Sequence, residues 1–284
     1  MDGIEIKASR DPRPMCDFAR QAGWNQTLEE CQQLVEAPEA ITLYAMKGAE
    51  TIGSAAAQVY GGGRMGFVNM VFVLPEMRGH GLATALLKAV MASRPDVATW
   101  RLYATEAGSK VYEKIGYRQA FTMAKYYAAP EVVRDWPRES AEGVEPMTAF
   151  DIPAAAACDA AAFGFSRPWV VDFLYRAQPG LAFKLCRDGR LTGFSLGRVG
   201  ANARHVAINA ASFVDACALL RRSAAEEHAG RPVQVMAYET QKAFTAFLLD
   251  NGFRATVTMF VMDFGAQYPQ PTVNYFGAFG GEFA

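Results

Sequence analysis

Paired cysteines, long apolar runs and an excess of one charge are all missing from this chain. Its five cysteines (Cys16, Cys31, Cys158, Cys186 and Cys217) are odd in number and scattered, with neither Cys-x-x-Cys nor Cys/His ligand spacing. Neither a disulfide framework nor a metal site is therefore expected, and the thiols read as core residues of a protein in a reducing compartment. No apolar stretch reaches the length of a signal h-region or a membrane span, and the opening MDGIEIKASRDP is polar. The expectation is a soluble, cytoplasmic protein with no membrane partner. The net charge of −1 makes no electrostatic case for nucleic acid. What the chain does have is length: 284 residues are enough for two domains, each with its own core.

The most informative stretch runs from Val71 to Ala89, VFVLPEMRGHGLATALLKA. Val71, Phe72 and Val73 fit a strand end, which Pro75 stops. From Leu82 the apolar residues Leu82, Ala85, Leu86, Ala89 and Val90 recur at helical spacing. Arg78, Gly79, His80 and Gly81 thus form a loop at a helix N-terminus, where unpaired N–H groups and the helix dipole favour an anion such as a phosphate. Glycine at 79 and 81 permits positive φ and close approach of the backbone. The loop matches neither the nucleotide-binding pattern GxxxxGK(S/T) nor the dinucleotide fingerprint GxGxxG.

The sequence Arg78-Gly79-His80-Gly81-Leu82-Ala83, preceded by an apolar strand and the turn Pro75-Glu76, resembles the (Arg/Gln)-x-x-Gly-x-(Gly/Ala) motif of the GNAT superfamily of acyl-CoA N-acyltransferases. A second stretch, VYEKIGY from Val111 to Tyr117, resembles that family's aromatic-rich helix end, LYxKxGF. The resemblance implies acetyl-CoA as co-substrate. Its pyrophosphate would be held by backbone N–H groups of Arg78, Gly79, His80, Gly81, Leu82, Ala83 and Thr84, and its pantetheine arm would lie along Val71, Phe72 and Val73. It also implies that Tyr112 is the acid that protonates the departing thiolate. Trp24 and Asn25, in the break between the first two helices, would overhang the acceptor, although Trp24 reads equally well as a core anchor.

The family's usual strand glutamate is missing from Phe67-Val68-Asn69-Met70-Val71. Asn69 cannot accept a proton there, but it could orient a water. Glu106 and His80 are the nearest titratable residues in sequence, and His80 reads as a solvated loop residue.

In order, residues 1–130 read as strand, two helices, three strands, helix, strand, helix, strand. Thr27 with Glu30 three residues later has capping-box spacing. The polar stretch 131–144 reads as a linker. Residues 145–284 then repeat the pattern: ATALLKAVMA (83–92) aligns with ACALLRRSAA (216–225), and EKIGYRQAFTMAKY (113–126) with LDNGFRATVTMFVM (249–262). In the second copy Ala211-Ser212-Phe213-Val214-Asp215-Ala216 replaces the glycine loop, and Leu248 stands where Tyr112 would be. The fold class expected is α+β: two tandem GNAT folds, each with a mixed, mostly antiparallel central sheet flanked by helices. The first copy would bind acetyl-CoA; the second would be degenerate.

The activity implied is transfer of an acetyl group to the primary amine of a small molecule. A non-catalytic acyl-CoA sensor and a protein lysine or N-terminal acetyltransferase stay open at this level, and a homodimer is compatible with the sequence. Replacing Gly81 with valine is expected to weaken coenzyme A binding at least tenfold by calorimetry; unchanged affinity would remove the anion-loop assignment.

Overall fold

The computed structural model describes residues 3–134, 136, 143–226, 230–268 and 270–283. The chain packs as two units. One takes in Met1–Ala120, Phe260–Tyr268 and Gly281–Phe283; the other takes in Phe121–Met259 and Pro269–Gly280.

The first unit begins with β1 (Ile4–Ala8), α1 (Arg13–Gln21) and α2 (Leu28–Glu36), followed by β2 (Ala40–Lys47), β3 (Glu50–Tyr60) and β4 (Met65–Val73). α2 starts with the capping box expected of it: Thr27 Oγ1 accepts from the Glu30 N–H, and the Glu30 carboxylate accepts from the Thr27 N–H. β1 to β4 pair antiparallel in sequence order. α3 (Leu82–Ser93), β5 (Thr99–Ala104) and α4 (Glu106–Glu113) complete the contiguous part. β3 and β4 are buried along nearly their whole length, because helices cover both faces of the sheet. Val71 and Val73 pack with Leu82, Leu86 and Val90 of α3. Phe72, pointing the opposite way, stacks on Phe18 of α1 at 4.8 Å.

The strand beside β5 does not come from the same half of the sequence. Phe260–Gly265, the end of β12 (Arg254–Gly265), pairs antiparallel with Ala104–Thr99. Arg101 and Asp263 lock this pair: guanidinium Nε donates to Oδ1 at 2.7 Å and Nη2 to Oδ2 at 2.8 Å, and both side chains are buried.

The second unit repeats the order. β6 (Arg118–Ala128) is followed by the short helix α5 (Pro130–Arg134), then by β7 (Val144–Pro146), α6 (Ile152–Phe163), α7 (Pro168–Ala177), β8 (Ala182–Arg187), β9 (Arg190–Val199) and β10 (Arg204–Ala210). α8 (Phe213–Ala224), β11 (Val233–Tyr238), α9 (Lys242–Asp250) and β13 (Tyr275–Gly277) follow. Asp188 and Gly189, both at positive φ (50° and 73°), form the tight turn between β8 and β9. Residues 123–128 of β6 pair with β11.

The architecture is thus α+β, with mixed and mostly antiparallel sheets flanked by helices. The division into sequence-contiguous halves at 130 needs correcting. The strand that follows α4 lies mostly in the second unit, and the end of β12 lies in the first. Hydrogen-bond pairing, not chain order, decides which sheet a strand joins. The expected linker 131–144 is also not all linker. Pro130–Arg134 is helical and Val133 is buried in the second unit's core, while residues 135 and 137–142 lie outside the described residues.

Asp263→Ala leaves the Arg101 guanidinium buried without its carboxylate, and a loss of about 3–5 kcal/mol in unfolding free energy is expected by chemical denaturation.

Candidate functional site

β4 and β5 run parallel and pair from Met65–Thr99 to Val68–Leu102. There the register ends, although both strands continue. At the same point β4 bulges: Met70 has φ 49°, the register against β3 shifts between Ser54 and Ala56, and the Ser54 hydroxyl donates to the Met70 carbonyl at 2.7 Å. The bulge turns β4 away from β5, so residues 69–73 are left without β5 partners. Unpaired backbone of this kind is suited to take up an extended ligand that carries amides.

Past Val73 the chain makes a single 3₁₀ turn, Pro75–Met77, and enters the glycine loop. Gly79 and Gly81 have φ of 80° and 79°, and a Cβ at either would meet nothing within 4 Å. Backbone conformation, not crowding, is therefore what requires glycine here. Gly81 is the N-cap of α3, which has no side-chain cap, and the Ala85 N–H donates to the Gly81 carbonyl at 3.0 Å. The N–H groups of Leu82, Ala83 and Thr84 thus have no intrahelical acceptor. Arg78, Gly79, His80 and Gly81 are exposed.

Arg78 departs from expectation. Its backbone N–H donates to the Pro75 carbonyl, its Nε donates to the Val73 carbonyl at 3.0 Å, and its guanidinium lies 5.7 Å from the centre of the Phe72 ring. The side chain folds back along the strand, and the amide is already used by the turn. The open donors begin after Arg78. The Val73 carbonyl is likewise engaged by that guanidinium.

The corresponding region of the second unit is closed by its own atoms. β10 and β11 pair in parallel only over Arg204–Val233 and His205–Gln234. Beyond that, β13 pairs with β10 at Ile208 and Asn209, and the Ala278 N–H donates to the Met236 carbonyl of β11 at 2.8 Å. His205, buried in this region, bonds through Nε2 to the Ala278 carbonyl; desolvation, followed by the charge of Arg198, lowers its pKa to about 3. The start of α8 is capped as well: Ser212 Oγ accepts from the Asp215 N–H, and the Asp215 carboxylate pairs with Arg187 at 3.0 Å. Leu248 is fully buried in the core.

Tyr112 sits at the end of α4, half-buried against the same apolar cluster as Val73 and Leu82, with its ring 6.0 Å from that of Tyr117. Burial raises its pKa to about 12, so the phenol is neutral and able to donate at physiological pH. Its hydroxyl makes no hydrogen bond among the described residues. Trp24 packs edge-on against Phe72 at 6.1 Å, which makes it an anchor of the α1–α2 break on the strand. Asn25 beside it is half-buried.

Asn69 is 5% exposed. Its Nδ2 donates to Gln58 Oε1 and, at 3.0 Å, to the Glu282 carbonyl. Gln26, the residue after Asn25, donates from Nε2 to the Glu282 carboxylate at 2.7 Å. Gln26 and Glu282 belong to no sequence motif. Gln58 is marked only as a polar residue in the apolar end of β3, residues 55–60, and no local pattern marks Glu282. The aromatic, glycine-rich run 273–283 contains β13 and, further on, the buried pair Glu282 and Phe283.

No group of three or more His, Cys, Asp or Glu residues is placed to hold a metal ion among the described residues. No helix among them is long and apolar enough to cross a membrane.

Residues 38–119 match the family model of the acetyltransferase (GNAT) domain. Over 192 residues, 67% of either chain, the sequence is 25% identical to the uncharacterized N-acetyltransferase YitH of Bacillus subtilis (strain 168). The fold is similar to that of an acetyltransferase candidate from Pyrococcus horikoshii, with a TM-score of 0.78 at 18% identity, covering 98% of this chain and 94% of that one. It is also similar to a tandem GNAT protein of the clavulanic acid biosynthesis pathway, with a TM-score of 0.65 at 13% identity, covering 94% and 100%. The fold is GNAT-like.

A raised pKa keeps the neutral phenol in place to higher pH. The difference in absorbance titration between wild type and Tyr112→Phe should therefore show no tyrosinate from this residue at pH 10, near the midpoint of an ordinary tyrosine. A midpoint near 10 would contradict the burial.

Proposed function

We propose that the chain is an N-acetyltransferase that transfers the acetyl group of acetyl-CoA to the primary amine of a small molecule by direct attack. The observation that carries this reading is the end of β4–β5 pairing at Val68–Leu102, next to an uncapped helix start with two positive-φ glycines. These features suit the two halves of coenzyme A. The backbone of residues 69–72, without β5 partners and apart from the Met70 carbonyl that Ser54 holds, offers hydrogen bonds to the pantetheine amides. The N–H groups from Gly79 to Thr84 offer a dipole-assisted seat for the pyrophosphate. The co-substrate supplies an activated acetyl thioester, and the chain's own residues bind it, orient it and manage protons.

Tyr112 is the acid in this reading. Desolvation keeps the phenol neutral at physiological pH, so it holds the proton that the departing thiolate needs. A backbone N–H of β4 past the bulge would stabilise the oxyanion. The second unit supplies fold without cofactor chemistry. Support for this comes from β13 filling the gap between β10 and β11, and from the side-chain cap and carboxylate at the start of α8.

The test is thiol release from acetyl-CoA with a panel of primary amines, alongside calorimetry. Amine-dependent release and one coenzyme A site per chain are expected. Tyr112→Phe should lower kcat about 10²-fold or more while leaving coenzyme A affinity within about twofold. Coenzyme A binding without turnover across the panel would favour a sensor, and two sites per chain would overturn the account of the second unit.

A further inference from the structure

Among the described residues of the first unit three buried side-chain oxygens, Gln26 Oε1, Thr42 Oγ1 and Asn69 Oδ1, have no hydrogen-bond partner, and two of them, those of Gln26 and Asn69, belong to the cluster around Glu282. Their orientation is set by their neighbours. Gln58 Nε2 donates to the Leu34 carbonyl, which leaves Gln58 Oε1 to face Asn69. Asn69 must then present Nδ2 to Gln58 and to the Glu282 carbonyl, so Oδ1 is the atom left over. Gln26 must likewise present Nε2 to a carboxylate that only accepts, and Oε1 is left over. Flipping either amide would replace hydrogen bonds with facing acceptors.

The cluster lies at the vertex of the gap in the sheet. Asn69 and Tyr103 are the residues that follow the last paired ones, Val68 and Leu102. The Gly281–Phe283 segment reaches both strands: the Glu282 carbonyl bonds to Asn69, and a Cβ at Gly281 would lie 3.7 Å from the Tyr103 ring. Phe283 is held by the Tyr60 hydroxyl at 3.2 Å. Burial first, then Cys16, Glu30 and Glu282, push the Cys31 thiol far above its ordinary range. Unpaired buried acceptors are costly unless something donates to them, and an ammonium brings three donors and a positive charge.

We propose that Glu282, Asn69 and Gln26 seat the ammonium of the acceptor, with the Glu282 carboxylate as the base that the β4 strand lacks. The proposal rests on the acetyl-transfer reading. An acceptor ammonium has two protons to lose before it becomes an amide. The first passes to the Glu282 carboxylate and on to solvent. The nitrogen lone pair then forms the C–N bond at the thioester carbonyl carbon, and the C–S bond breaks with its electron pair on sulfur. The second nitrogen proton balances the one taken up by the thiolate. The acceptor class is therefore a small primary amine that enters as a cation.

The test uses the full chain saturated with coenzyme A, titrated calorimetrically with n-butylamine, ethanolamine, 1,3-diaminopropane and spermidine at neutral pH. At least one should bind the wild type, and Glu282→Gln should weaken it by about tenfold or more while coenzyme A affinity, which reports the fold, stays within twofold. Gln26→Leu, which removes one acceptor and leaves the carboxylate, should weaken it several-fold. With the best amine, Glu282→Gln should lower kcat about 10²-fold. Unchanged amine affinity and kcat in Glu282→Gln, or no ammonium bound by the wild type, would overturn the proposal. A wild type that fails to bind coenzyme A would instead overturn the acetyl-transfer reading itself.

Discussion

Backbone amides and carbonyls inside a sheet must find partners, and much of this structure follows from two places where neighbouring strands stop supplying them. In the first unit, the bulge at Met70 carries β4 away from β5 after Val68–Leu102. In the second, β10 and β11 part after His205–Gln234. One gap leaves its β4 edge without a neighbouring strand; the other is filled by β13 and the Ala278 amide. The same order of elements thus ends β4–β5 pairing early in one unit and fills the equivalent place with the chain's own residues in the other.

The helix that follows each gap differs in the same direction. α3 starts at a glycine with φ 79° and no side-chain cap. α8 starts at Ser212, whose hydroxyl takes an amide that an anion would otherwise use, and Asp215 adds a carboxylate already paired with Arg187. Positive helix ends are stabilised by negative charge from either source. A helix capped from within has little reason to bind a phosphate. These two contrasts, one in the sheet and one at the helix start, arise from different residues and agree.

Much of the fold was legible because it depends on local patterns. The capping box at Thr27 and Glu30, the glycine loop and the matching helices α3 and α8 are each set by residues within a few positions of one another. Arg78 was legible as a residue but not in its conformation. Its guanidinium turns back to the Val73 carbonyl and the Phe72 ring, and only the packed strand shows that those partners are within reach. Trp24 had two readings from sequence, and its edge-on contact with Phe72 gives it a structural anchor.

The sequence by itself determined the element order, the internal repeat and the glycine loop at the start of α3, because periodicity, capping and glycine conformation act over short distances. Only the tertiary structure decided which strands complete each sheet and what surrounds Asn69. Phe260–Gly265 joins β5, and Glu282 reaches Asn69 across a separation of 213 residues. Strand pairing and the burial of a carboxylate are settled by which groups can satisfy one another in three dimensions. A glutamate in an aromatic, glycine-rich run has no neighbour in sequence that announces such a place.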